Sequence, residues 1–148
     1  MKLPDVNLLV YAYDLNSPRN GAALRWLEET LSGSETVALA WSALLGFIRV
    51  STNPAIFEQA LTPEEALDLV DSWLELPPVT IVHPTHRHAA VLRDLLAPLG
   101  TAGNLTSDAH LAALAIEHGA TLCSSDNDFS RFSGLRWEDP LSVRRPRG

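Results

Sequence analysis

With a single cysteine, Cys123, the chain can form neither an internal disulfide nor a zinc cluster that needs several thiolates. That thiol sits in the apolar stretch Thr121-Leu122-Cys123, the setting of a buried, inert residue. Long hydrophobic runs are missing too, and none approaches the roughly 20 residues of a membrane span. Met1-Lys2-Leu3-Pro4-Asp5 meets a carboxylate too early for a secretory leader, so the expected location is the cytoplasm. There is no glycine-rich phosphate loop and no Ser-His-Asp signature. The five histidines form no i, i+4 pair on a helix. His83, His86 and His88 flank a helix start, where surface or capping roles are ordinary, and His118 is placed to meet a helix C-terminus.

Positive charge is also scarce. The formal net charge is -7, and Lys2 is the only lysine beside ten arginines. An acidic chain is a poor partner for phosphate backbones unless its carboxylates are gathered around cations, which turn a repulsive site into an attractive one. Arginine is the better-shaped phosphate ligand, and Arg144, Arg145 and Arg147 make the end of the chain basic.

What is present is an ordinary globular composition, 46% hydrophobic and 20% charged, which places the chain outside the disordered class. A domain of this length buries roughly two thirds of its unfolded surface, enough for one core. No repeat or linker divides it, so residues 1–141 are expected to form one domain, with a basic tail over 142–148.

Short apolar runs alternate with amphipathic segments. Lys2–Asp5 reads as a strand leading into a helix from about Asn7. Ala23, Leu24, Leu27 and Leu31 share a helix face, and Val37–Ala40 reads as a buried strand. A helix from Ser42 stops near Asn53-Pro54. Thr62-Pro63-Glu64-Glu65 is a capping box with proline at N1, opening a helix that turns Ala66, Val70, Trp73 and Leu74 inward. Val79–Val82 is a strand, His86–Leu99 a helix, and Gly100–Asn104 a loop. Thr106-Ser107-Asp108 opens a helix that Gly119 ends, before the strand Ala120–Ser124. Trp26, Trp41, Trp73 and Trp137 are mostly assigned to the core. The pattern predicts an α/β fold with a central parallel sheet of four to five strands flanked by helices on both faces.

In such sheets ligands bind beyond the carboxyl ends of the strands. Asp5 ends the first strand, and Asp126 and Asp128 follow the strand at Thr121–Ser124. Asp108 lies in the first turn of a helix, where the dipole favours an ionised carboxylate. Structural alternatives stand beside each: a helix start for Asp108, a turn for Asp126 and Asp128. For Asp5, flanked by Leu3, Val6, Leu8 and Leu9, burial without a partner or cation is costly. Gathered together, the four form an anionic pocket whose natural complement is a hard cation, Mg²⁺ or Mn²⁺. Asn7, Asn104, Ser107 and Ser125 are polar neighbours able to orient ligands or metal-bound water, or simply to cap and turn the chain.

Asp5-Val6-Asn7, Trp41 with Phe47-Ile48-Arg49-Val50, Asn104-Leu105-Thr106-Ser107-Asp108-Ala109-His110-Leu111-Ala112-Ala113 and Ser125-Asp126-Asn127-Asp128-Phe129 occur in an order that resembles a PIN-domain nuclease, specifically a VapC-type toxin of a bacterial toxin–antitoxin pair. The resemblance spans nearly the whole chain, to Pro140-Leu141. It implies a single PIN-like domain acting as a metal-dependent ribonuclease that inhibits translation. Asp5, Asp108 and Asp126 would be its catalytic metal-binding acids and Asp128 an accessory carboxylate, supported by Asn7, Asn104 and Ser125. It further implies an RNA substrate, a cognate antitoxin and a homodimer. The sequence departs from the family at Gly46, where a glutamate is usual. A catalytically weak PIN-fold partner of an antitoxin is therefore the alternative. A receiver-like phosphoryl site lacks its cation, because the only lysine is Lys2.

Overall fold

The computed structural model describes residues 1–142, so the basic tail proposed for 142–148 lies, beyond Ser142, outside the described residues. Five strands form one sheet in the order β3-β2-β1-β4-β5, every neighbouring pair parallel. They are β1 (Lys2–Pro4), β2 (Val37–Leu39), β3 (Val79–Ile81), β4 (Thr121–Cys123) and β5 (Trp137–Glu138). Six helices surround them: α1 (Val6–Tyr13), α2 (Asn20–Ser32), α3 (Trp41–Ser51), α4 (Pro63–Leu74), α5 (His88–Leu96) and α6 (Thr106–His118). Strand addition runs outward from β1 to β3, then returns across the sheet to β4. With right-handed crossovers, that reversal places α5 and α6 on the face opposite the outward connections. Expected α/β alternation and parallel sheet are both present, and β5 is an edge strand the periodicity did not single out.

Pro4 leaves a mark at the sheet centre. Along β1 the N–H groups alternate sides: that of Lys2 donates to Thr36 on the β2 side, and that of Asp5 to Cys123 on the β4 side. Pro4, which has no N–H, falls on the β2 side. Pairing with β2 is correspondingly limited to Lys2↔Val37, whereas β1 pairs with β4 over three residues.

The core explains the helix positions. Leu3, Leu9, Val37, Leu122 and Phe47 are fully enclosed. Phe47 of α3 packs its ring 5.8 Å from Tyr13 of α1 and 4.9 Å from Trp73 of α4, so one aromatic cluster joins three helices. The capping box at α4 forms as expected, with the Glu65 N–H donating to the Thr62 hydroxyl and the Thr62 N–H to the Glu65 carboxylate. Gly119 ends α6 at φ 65°, a left-handed position that favours glycine.

Expectations for Trp41, His88 and His118 are corrected. Trp41 is not a core residue: it stands 42% exposed at the start of α3, with Leu45 one turn later 59% exposed. The turn expected after β4 is present as a 3-10 turn over Asn127–Arg131. His88 is no surface residue either. Its Nδ1 bonds Glu117 and its Nε2 lies 2.9 Å from His110 Nδ1, while the Thr85 N–H donates to the same Glu117 carboxylate, a polar clasp between α5 and α6. His118 reaches the His83 carbonyl rather than the end of its own helix.

Candidate metal centre

Residues Pro4 and Cys123 are opposite one another in the β1–β4 ladder, so the residues that follow, Asp5 and Ser124, emerge side by side at the carboxyl rim. This is where the sheet changes its direction of growth, with β2 on one side of β1 and β4 on the other. The connections leaving β1 and β4 diverge there and open a crevice.

Asp5 is 2% exposed, and each of its carboxylate oxygens accepts one hydrogen bond. As N-cap of α1 its Oδ1 accepts the Val6 N–H at 2.7 Å, and its Oδ2 accepts the Ser124 hydroxyl at 2.8 Å. Burial pushes its pKa above the ordinary value, the bonds from Ser124 and Val6 oppose the rise, and the Asp126 charge adds to it. Ser124, also buried, accepts the Asp126 N–H on its hydroxyl at 3.0 Å. One hydroxyl therefore ties the end of β1 to the loop after β4. Asp126 caps the 3-10 turn in its turn, its Oδ1 accepting the Asp128 N–H at 2.9 Å.

Asp108 reaches this rim from the first turn of α6. Oxygens of Asp108, Asp126 and Asp128 all lie within 4.8 Å of one another. Burial, followed by the charges of Asp5, Asp126 and Asp128, pushes the Asp108 carboxyl up to about 6. Four carboxylates thus sense one another, three of them converging. Among the described residues one ion pair touches the group, Arg131 Nη2 at 3.8 Å from Asp128, an exposed contact of little strength.

The donor set fits a hard divalent cation. All its donors are carboxylate oxygens, with no thiolate or imidazole among them. At ligand distances of about 2.1 Å, two ligands of one octahedral ion stand about 3–4 Å apart. The oxygens of Asp108, Asp126 and Asp128, within 4.8 Å of one another, lie close to that spacing.

The four sequence-flagged aspartates gather at the rim, whereas the polar neighbours flagged with them make no side-chain hydrogen bond to these acids among the described residues. Ser125 turns away and donates to Asp139 at 2.8 Å. Asn104 is exposed in the 3-10 turn Gly103–Leu105, Ser107 is exposed at the start of α6, and Asn7 sits in α1; among the described residues none has a side-chain hydrogen bond to the acids. Ser124 is the residue that sequence reasoning missed. Alternation along a strand was the available signal, since the end of β4 points residues 124 and 125 to opposite sides.

Helix α3 contributes no carboxylate, as its sequence Trp41–Ser51 contains no Asp or Glu. At Gly46 of this helix an added Cβ would meet the Val6 Cγ2 methyl at 2.7 Å. Cys123 is buried, and its thiol is pushed up to about 12 by burial, in agreement with an inert role.

The PIN domain family model matches residues 2–135. Ribonuclease VapC37 of Mycobacterium tuberculosis is 46% identical over 143 residues, covering 97% of this chain and 99% of the relative. Ribonuclease VapC33 of the same species is 40% identical over 141 residues, covering 95% and 99%. Among solved structures, VapBC2 from Rickettsia felis, bound to a DNA fragment from its promoter, superposes with a TM-score of 0.67 at 20% identity, covering 93% of this chain and 96% of the other. Mycobacterium tuberculosis VapC20, described as a sarcin–ricin loop cleaving toxin, superposes at 0.63 with 17% identity, covering 92% and 99%.

Proposed function

Because the chain belongs to the PIN-domain family, alongside the VapC ribonucleases, we propose that its acidic rim is a metal-dependent ribonuclease site and that the protein is the toxin of a toxin–antitoxin pair. The observation that carries this reading is the convergence of Asp108, Asp126 and Asp128 beside the buried Asp5, from opposite ends of the sequence, at the switch point of the sheet.

Asp5, Asp108, Asp126 and Asp128 would hold Mg²⁺ or Mn²⁺. The bound ion supplies Lewis acidity toward a phosphodiester oxygen and lowers the pKa of a coordinated water. What the chain itself does is set by its hydrogen bonds. Val6 and Ser124 fix both oxygens of Asp5, and Ser124 fixes the Asp126 backbone, so the acids enter the reaction already oriented. The mutual repulsion at Asp108 would be relieved by a cation held among these acids, which would also remove their repulsion of an RNA phosphate.

An antitoxin partner is supported by neighbours solved as VapBC complexes. The exposed Trp41, Leu45 and Leu67 offer apolar surface for that contact or for a homodimer. Among the described residues no helix is long and apolar enough to cross a membrane, and the proposed site of action is the cytoplasm. The second reading, a binding partner with weak catalysis, rests on Gly46. One experiment separates them: total RNA incubated with the purified chain and Mg²⁺ or Mn²⁺, with chelator, and with Asp108→Asn. Discrete cuts lost under both chelator and substitution establish the nuclease, whereas intact RNA with folded, metal-loaded protein establishes the binding partner.

A further inference from the structure

We infer that the edge strand β5 and the turn after it form a positioning clamp for the acidic rim, in which Trp137 and Asp139 hold Ser124 and Ser125 and so set the placement of Asp126 and Asp128. This assignment rests on the metal-site reading above. Its residues lie beyond residue 135, where the family match ends.

Strand β5 pairs with β4 over only Leu122↔Trp137 and Cys123↔Glu138. Its contacts nevertheless continue past the ladder onto the chain reversal that carries the acids. The Ser124 N–H donates to the Glu138 carbonyl at 3.0 Å, and the Ser124 carbonyl accepts the Trp137 indole N–H at 2.9 Å. Both peptide groups flanking the Ser124 Cα are therefore fixed from the β5 side. With the backbone held, the buried Ser124 hydroxyl donates to Asp5 and accepts the Asp126 N–H. At the next residue the Ser125 hydroxyl donates to Asp139 Oδ1 at 2.8 Å. The same oxygen accepts the Leu141 N–H at 3.0 Å, across Pro140, whose ring fixes φ and offers no competing N–H.

The clamp has a fixed end and a governed end. Trp137 packs against the hydrophobic core, which makes its N–H a stationary reference, and a backbone carbonyl just beyond a ladder needs such a partner. On the other side, Asp126 receives its N–H anchor from Ser124 and in turn accepts the Asp128 N–H. A shift at Ser124 or Ser125 is thus passed to both acids. The outward turn of Ser125 gains a role, since it tethers the loop from the face opposite the Ser124 hydroxyl. Partners one bond removed from metal ligands change metal affinity by about 10- to 100-fold when lost.

The test reads metal binding rather than cleavage. Metal-free protein is titrated with Mn²⁺, the free ion is followed by electron paramagnetic resonance, and circular dichroism confirms the fold of each variant. Trp137→Phe keeps an aromatic ring and removes only the N–H donor, whereas Asp139→Ala removes the acceptor of Ser125 and Leu141. Both are expected to bind Mn²⁺ about 10-fold more weakly than the native chain. Asp139→Asn keeps the accepting oxygen without the charge, so it should restore native affinity. Native affinity in both folded Trp137→Phe and folded Asp139→Ala overturns the clamp and leaves the metal-site reading intact. Asp139→Asn as weak as Asp139→Ala overturns positioning by Asp139, because charge alone would then explain its effect. A folded native chain that binds no Mn²⁺ overturns the metal-site reading itself. If Asp139→Ala does not fold, Trp137→Phe and Asp139→Asn still decide the matter.

Discussion

Asp108→Asn should make the metal-free protein more stable, even though it removes a residue of the proposed site. The Asp108 carboxyl rises from 3.8 to about 6, because of burial first and then the charges of Asp5, Asp126 and Asp128. A rise of roughly two pKa units, at 1.36 kcal/mol each, corresponds to about 3 kcal/mol between the protonated and ionised forms. The carboxylate is only partly enclosed, so solvent screening reduces this to about 1–2 kcal/mol. The sign follows from proton binding. Below about pH 4 both folded and unfolded chains carry the proton and no penalty exists. Between about 4 and 6 the folded chain holds a proton that the unfolded chain has lost, so stability falls as pH rises. Above about 6 the carboxylate is ionised in both states and the penalty is complete. Thermal melts in chelator should place Asp108→Asn about 3–6 °C above the native chain at pH 7.5, for a domain of this size, and level with it near pH 4. Saturating Mn²⁺ should reverse the order, since an ion at 100 times its Kd stabilises the native chain by about 2.7 kcal/mol and the weakened site by less. A variant no more stable than the native chain at pH 7.5 without metal would refute the repulsion argument.

Two further substitutions probe the framework. Ser124→Ala leaves a buried Asp5 oxygen and the Asp126 N–H without their partner, an expected loss of about 1–3 kcal/mol in urea unfolding, with most of it restored by Ser124→Thr; an unchanged midpoint would mean the bridge is dispensable. Trp73→Ala, which empties the centre of the Tyr13–Phe47–Trp73 cluster, should cost about 3–5 kcal/mol. Trp41→Ala should cost within about 0.5 kcal/mol in the isolated chain, and comparable losses at the two positions would contradict their assignment to core and surface.

The acids were legible before the structure because they occupy places that a parallel sheet makes functional, directly beyond strands and at a helix start. Asp5 stood out through its apolar neighbours, and Asp126 through following a β-branched and apolar run. The partners that orient them were not legible. Whether Ser124 or Ser125 faces inward depends on where β4 ends, to within one residue, and a shift of one reverses the side. Asn7 and Asn104 looked equally suitable because a polar residue near an acid in sequence carries no direction. Trp41 misled for another reason: aromatic residues at apolar positions usually complete a core, and only the packing of α3 against α1 shows which face of that helix is left outside. The Glu117–His88–His110 clasp joins residues up to 29 apart, beyond the reach of any local spacing rule. Gly46 was visible as a departure from its family, but its steric meaning appeared only once Val6 was placed against it.

The Ser124–Asp5 hydrogen bond spans 119 positions of sequence, and this distance bears on when the enzyme becomes dangerous to the cell that makes it. Synthesis delivers Asp5 first, Asp108 late and Asp126 later still, and a chain interrupted before β4 has no strand to set beside β1. Closing so long a loop is slow compared with local helix formation, and parallel pairing is the slow part of such folds. A growing chain emerging from a ribosome, itself built of RNA, therefore carries separated aspartates and no cluster. Nuclease competence arrives only after the last strands are released, a delay during which an antitoxin made in parallel has time to be present.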